Sequence, residues 1–302
     1  MKILLFMLLL VALPIETMAG KIIYLTGVES TESNYLSLVK EKGGDPLKIT
    51  DFKSTFATRP ALALLILNQA LHAGGMDAEI RFVQFPNLTR CIAEVKRGKI
   101  PLLATDMWED DFDYSVYKTE PFIGRGDFEK GIYTHKDSPL LKAKPDMNEL
   151  LQLVPLTEMS WTIDIMTLKK MGFPKIETAP RYELLLKMMG KKRADFTLLE
   201  FAREPDMLHA INGHKLYPVK GIKVLFPNSR HFMVSKTHPD GKAIYEALER
   251  GLKILRQKGI IQKALYQAGL KDERVRNWKV IYSDNETMPQ DAPGKSKPQV
   301  TK

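Results

Sequence analysis

The sequence predicts an α/β protein of two similar lobes, each a mostly parallel sheet flanked by helices. Two segments share one order of parts: LTRCIAEVKRGKIPLLATD at residues 88–106 and YELLLKMMGKKRADFTLLEF at 182–201. Each opens as an amphipathic helix and stops at a glycine, Gly98 or Gly190. Each then passes basic residues and becomes an apolar strand tipped by a carboxylate, Asp106 or Glu200. Glycine beside lysine or arginine is a helix-stop signal, because glycine tolerates positive φ and the cations face the carbonyl end of the helix dipole. Strands alternating with helices imply parallel pairing, with helices covering the sheet faces. At 302 residues the chain is long enough to build two such cores.

The elements follow in order. Met1 and Lys2 precede an unbroken apolar run over 3–13, then Pro14 and Thr17-Met18-Ala19. A cationic start, a short apolar stretch and a small residue read as a secretory signal peptide over 1–19, cleaved after Ala19. The run is too short to span a bilayer, which needs about 20 apolar residues. A strand is expected over 21–26, a helix over 60–72 with proline in its first turn and Gly74-Gly75 behind it, and a strand over 78–85. Residues 130–134 extend toward a crossing. A short helix over 147–153, a strand over 154–157 and a helix over 162–171 come next. A strand over 231–235 then precedes a helix over 243–258 whose Ile244, Leu248, Leu252 and Leu255 share one face. The tail, 283–302, has no apolar periodicity and is rich in Pro, Lys and Gln, the composition of a disordered segment.

The net charge of +9 survives loss of the signal peptide, since Lys2 and Glu16 leave together. Lysines and arginines are spread along the chain, and their densest clusters, KKR at 191–193 and VKRGK at 95–99, sit at expected helix ends. That distribution argues against a nucleic-acid partner. The single cysteine, Cys91, cannot form an internal disulfide and is expected buried in a helix. The six histidines show no HExxH or other short paired spacing, and no Gly-x-Ser-x-Gly or phosphate-cradling glycine loop is present. No metal, cofactor or catalysis is expected.

One stretch stands out: TDMWEDDFD at 105–113 holds Asp106, Glu109, Asp110, Asp111 and Asp113 in a basic chain. A solvated loop is one reading, with Asp110 or Asp111 capping a local turn. Its place at a strand's carboxyl end supports another, because ligands of open α/β sheets collect there.

Set side by side, IAEVKRGKIPLLATDM, LLKMMGKKRADFTLLE, Thr119-Glu120-Pro121-Phe122 and HFMVSKTHPDGKAIYEALERGLKILRQKGIIQKALYQAG resemble the type 2 periplasmic solute-binding proteins, in the branch of the polar amino-acid binders. The likeness covers roughly residues 50–280. It implies a two-lobed periplasmic-binding-protein type 2 fold, with lobe one at 20–133 and 224–282, lobe two at 134–223, and two hinge strands that let the lobes close on a ligand. It implies a periplasmic protein, acting as a monomer, that binds a small polar solute for an ABC-type membrane permease. A sensory accessory protein read by a membrane sensor is the alternative. A dehydratase-like enzyme using Asp106 and Glu200 is a remote one.

The resemblance places Arg59, Thr105, Asp106, Met107, Trp108 and Glu109 on one side of the cleft, and Glu158, Ser160, Trp161, Thr162 and Glu200 on the other. The chain departs from the family where amino-acid binders carry a Thr-x-x-Arg-like element for the ligand's carboxylate: here stands WEDDFD. Pro101 replaces the acid before the first strand, while Glu200 retains the second-lobe acid that accepts an ammonium. Excess negative charge with Trp108 and Trp161 suggests an amine-bearing or cationic solute. Arg59 offers a carboxylate site from another direction; Arg125, in Gly-Arg-Gly-Asp at 124–127, is a weaker substitute. Residues 28–52 read as an unusual insertion.

Overall fold

The structure, a computed structural model, describes residues 21–283 except 203 and 212. The expected signal peptide and nearly all of the expected tail lie outside the described residues. The first half of the chain runs β1 (Lys21–Gly27), α1 (Glu29–Glu41), α2 (Arg59–Ala73), β2 (Ala78–Gln84), α3 (Leu88–Lys96), β3 (Leu102–Trp108) and β4 (Val116–Ile123). Then come β5 (Phe128–Thr134), α4 (Met147–Leu151), β6 (Leu156–Glu158), α5 (Thr162–Lys170), β7 (Glu177–Ala179), α6 (Tyr182–Gly190), β8 (Thr197–Leu199), β9 (His209–Ile211) and β10 (His214–Phe226). The chain closes with β11 (Arg230–Ser235), α7 (Gly241–Gln257), α8 (Ile260–Gln267) and β12 (Lys279–Tyr282).

These strands form two five-stranded sheets, one per lobe, and a two-stranded one, β6–β7, in the second lobe. The first has the order β2-β1-β3-β11-β4. β1 pairs in parallel with β2 and with β3, as strands joined through helices must, while β11 arrives from far along the chain and lies antiparallel to both β3 and β4. The second sheet has the order β12-β10-β5-β8, with β9 paired to β10. A Pro155–Phe196 bridge continues it toward the parallel β6–β7 pair. The chain passes between lobes three times: at 124–127, from β4 to β5; at 227–229, from β10 to β11; and at 268–278, from α8 to β12. β5 and β10 lie antiparallel, with their register broken between Pro218 and Lys223.

Helix α2 is the pivot of the first lobe. Residues 61–67 are wholly buried, between the sheet and helices α1 and α7. An all-round apolar helix of this kind has no solvent face. Residues 28–52, read above as an insertion, contain α1, whose Tyr35 hydroxyl accepts from Asn68 of α2 at 3.0 Å. Cys91 is buried beside Leu103 and Met233.

The α2–α7 crossing is closer than side chains allow. A Cβ added at Gly251 would stand 1.7 Å from the Ala70 carbonyl oxygen, so the helices would have to separate. Gly251→Ala is expected to destabilise the protein by about 1–3 kcal/mol through this overpacking, despite alanine's better helix propensity. Denaturant unfolding checks it: an unchanged midpoint would show that the crossing relaxes freely.

Two expectations change. Both helix–glycine–strand segments stop as read, α3 just before Gly98, φ +74, and α6 at Gly190, its last residue, but in the second the left-handed residue is Lys192, φ 56. Gly190 is small for packing instead: a Cβ there would meet His214 Nδ1 of β10 at 3.0 Å. Also, residues 224–282 do not all stay with lobe one. β12 pairs with β10, Val275 is buried in the second lobe's apolar cluster, and Trp278 packs edge-on against Phe201 at 5.4 Å. Arg274 fixes this return by donating to the Ala202 carbonyl at 2.8 Å. Among the described residues no helix is long and apolar enough to cross a membrane.

Candidate interlobe binding site

The site is built around Asp106, which β3 delivers fully buried. Two arginines meet it. Arg59 is the first residue of α2, and its Nη1 donates to Asp106 Oδ1 at 2.7 Å. Arg230 opens β11, where the antiparallel register sets it opposite Trp108. Its Nε donates to Asp106 Oδ2, and its Nη2 donates to the Asp106 carbonyl at 2.9 Å. The Thr105 hydroxyl adds a longer bond to Asp106 Oδ1, 3.3 Å. Glu200, just past β8 in the other lobe, places Oε1 3.8 Å from Arg59 Nε. Asp106 and Glu200 therefore share one guanidinium across the gap between lobes. Arg59 is 22% exposed and Glu200 40%, so this outer contact is wet while the inner one is dry.

Burial alone would raise the Asp106 carboxyl, but the guanidiniums of Arg230 and Arg59 outweigh it and hold it below the usual carboxylate range. Burial and the like charge of Arg59 push Arg230 downward against the pull of Asp106; a group so basic stays charged all the same. Arg59 is lowered by burial and raised more by Asp106 and Glu200, so its charge is reinforced.

Lobe two adds a second buried ion pair. Lys130 Nζ of β5 stands 2.5 Å from Asp164 of α5. Burial raises the Asp164 carboxyl and nearby Glu200 adds to the shift, with Lys130 opposing both. The His209 ring donates from Nε2 to the Glu200 carbonyl at 2.7 Å, since a carbonyl can only accept; Nδ1 is then free to accept from the Tyr182 hydroxyl at 3.3 Å. Burial lowers the His209 pKa, which favours this neutral form.

The cluster gathers Arg59, Asp106 and Glu200 from the residues expected by sequence, with both tryptophans beside its cations, and Thr105 touches it only through its hydroxyl's bond to Asp106. The tryptophans already hold cations of the protein itself. The Arg230 guanidinium lies 4.2 Å from the Trp108 ring centroid, and Lys130 Nζ lies 4.8 Å from that of Trp161. Trp108 also packs against Phe128 at 5.1 Å and Phe226 at 6.1 Å. Met107 does not join, because successive strand residues face opposite sides; it is buried against α3 beside Cys91, Val95 and Met233. Glu158 accepts from the Ser160 hydroxyl at 2.5 Å, and Ser160 and Thr162 are exposed.

Nor does the acidic stretch charge the cleft. Glu109 pairs with Arg125 at 2.8 Å, Asp110 accepts from Asn228 at 2.6 Å, and Asp111 accepts from the Trp108 N–H at 3.1 Å, the turn-capping role foreseen for it. Asp113 pairs with Lys96 at 2.7 Å, and hydrogen bonds from Lys96 and Ser115 lower its pKa to about 2. The excess of negative charge expected in the cleft is thus neutralised locally. Sequence reading missed Arg230, Lys130 and Asp164. The available signal was a cation within a largely apolar strand, RHFMVS for Arg230 and FEKGIYT for Lys130.

A cavity of about 320 Å³ lies elsewhere, where α2 ends, lined by Leu47, Phe52, Leu255 and Ile260 among others. None of the expected site residues lines it. Among the described residues, no group of His, Cys, Asp and Glu could hold a metal ion.

No family model matches the chain, and no curated protein matches it. Solved structures do. A probable amino-acid ABC transporter extracellular-binding protein of Bacillus subtilis, ytmK, aligns with a TM-score of 0.54 at 12% identity, covering 83% of this chain and 99% of that one. The periplasmic VFT2 domain of Bordetella pertussis BvgS aligns at 0.49 and 13%, over 80% and 92%. The GluR0 ligand-binding core of Nostoc punctiforme, solved with L-glutamate, aligns at 0.46 and 12%, over 82% and 97%. The chain has the two-lobed fold of type 2 periplasmic solute-binding proteins, the fold its sequence motifs resemble.

Proposed function

We propose that the protein is an exported, non-catalytic receptor that holds a small solute bearing both an amine and a carboxylate between its lobes, for delivery to a membrane permease. One observation carries this reading: Arg59 and Glu200, partly exposed and of opposite sign, face each other across the interlobe gap at 3.8 Å. A zwitterion can replace that weak contact with two strong ones, its carboxylate on the Arg59 fork and its ammonium on Glu200. Asp106 holds Arg59 in place from behind. The three cations Arg59, Arg230 and Lys130 balance the three carboxylates Asp106, Asp164 and Glu200, so a neutral zwitterion leaves the cluster neutral. The amino-acid transporter named for the Bacillus subtilis structure is consistent with such a solute. Asp106, salted twice and kept ionised, is poorly suited to general-acid chemistry, which argues for binding without reaction.

A melting screen of amino acids, polyamines, peptides and organic acids tests the proposal. A bound solute at about 100 times its dissociation constant stabilises the fold by roughly 2.7 kcal/mol. Amino-acid-like zwitterions are expected to shift the melt. Shifts from polyamines alone, or from organic acids alone, would contradict the two-ended arrangement. Glu200→Gln is expected to weaken the active solute by about 1.5–3 kcal/mol, the value of one charged hydrogen bond. Calorimetric titration reads this directly, and unchanged affinity removes Glu200 from the site.

A further inference from the structure

We infer that Glu109 is a positioning residue that fastens two of the three interlobe connections, 124–127 and 227–229, to the end of β3, and so restricts how the lobes can swing. The inference goes beyond the solute reading and rests only on the two-lobed fold.

Glu109 is the first residue after β3, and its side chain is 11% exposed. Its Oε2 accepts from Arg125 Nη2 at 2.8 Å, in the 124–127 connection. Oε1 accepts from the Ser229 N–H at 3.3 Å, in the 227–229 connection; the Ser229 hydroxyl lies 3.1 Å from Oε2 but gives its single proton to the nearer His231 Nε2, at 2.7 Å, whose Nδ1 donates to the Thr119 carbonyl. Its own N–H donates to the Ser229 carbonyl at 3.0 Å. Asp110 adds a bond from Asn228, and the Gly126 N–H donates to the Phe226 carbonyl at 3.1 Å, tying the two connections together. One carboxylate thus touches the 124–127 and 227–229 connections, though not the third passage from α8 to β12, and it reaches the residue just before Arg230. The bends of a hinge occur in such short connections, and a largely shielded carboxylate that holds two of them shifts the flexing toward β5 and β10 beyond them. There the register is already broken between Pro218 and Lys223.

The two arms differ in strength. Arg125 is half exposed, so its ion pair is weak in water; the bond from the Ser229 N–H is partly buried. Lys271 also holds the first connection, at Asp127.

Amide hydrogen exchange on the ligand-free protein tests this without reference to any solute. In Glu109→Ala, exchange at Ser229 and Gly126 is expected to accelerate by about 10-fold or more, with α2 unchanged, because a charge-assisted anchor is lost locally. In Glu109→Gln, whose amide oxygen still accepts from the Ser229 N–H, Ser229 is expected to stay within about threefold of wild type. Unchanged exchange at Ser229 in the alanine variant, or equal acceleration throughout both sheets, would overturn the assignment. Fluorophores at Leu36 and Met166, exposed positions in lobes one and two, read the swing itself. The alanine variant is expected to broaden the interlobe distance distribution. A distribution identical to wild type would show that Glu109 does not set the motion.

Discussion

Asp106→Asn is expected to destabilise the protein by about 3–5 kcal/mol, the cost of breaking a buried ion pair by removing one partner. Arg59 and Arg230 would then face each other with no charge between them, and Arg230 is almost wholly buried. The pH dependence carries a sign. The folded-state pKa of Asp106 lies below its ordinary value of 3.8, so its stabilisation is fully present above about pH 4 and fades as pH falls through the lower folded value. The deficit of the asparagine variant should therefore be constant from pH 8 to about pH 5 and shrink only in stronger acid. Urea unfolding at several pH values measures it. A deficit under about 1 kcal/mol at pH 7 would mean that water or a rearranged arginine replaces the carboxylate.

Lys130→Met is expected to cost a similar amount at pH 8, about 3–5 kcal/mol, by stranding Asp164 in its buried position beside Glu200. Here the pH response reverses. Burial already raises Asp164 above its ordinary value of 3.8, and losing Lys130 removes the main opposing influence. A carboxyl raised in the folded state takes up a proton more readily there than in the unfolded chain, so stability returns as pH falls through the raised value. The deficit should thus shrink as the pH falls through that raised value, whereas that of Asp106→Asn shrinks only below the ordinary carboxylate range. Parallel pH profiles for the two variants would contradict the assignment of opposite shifts to these two carboxyls.

The fold was legible in the sequence because it depends on local rules. Proline at the start of α2, the apolar run behind it, and an apolar strand tipped with Asp106 are each written within a few residues. Strand period was legible too, and it would have excluded Met107: its neighbour Asp106 faces the cleft, so Met107 must face α3. The partners of the acids were not legible. Arg230 reaches Asp106 through an antiparallel pairing of strands far apart in the chain, and no local pattern encodes that register. The same holds for Trp108 and Trp161, whose rings read as ligand platforms until the structure laid Arg230 and Lys130 beside them. Net charge misled for a related reason. The five acids of TDMWEDDFD count as an excess along the chain, yet each has a partner in space from α2, α3, a connection or its own turn.

The most direct measurement is a crystal structure grown with whichever solute gives the largest melting shift. A carboxylate within hydrogen-bond reach of Arg59 and an ammonium on Glu200, with Asp106 still joined to both arginines, is the predicted result. Solute density in the cavity beneath Phe52 and Leu255, or an undisturbed Arg59–Glu200 contact with the solute elsewhere, would contradict it.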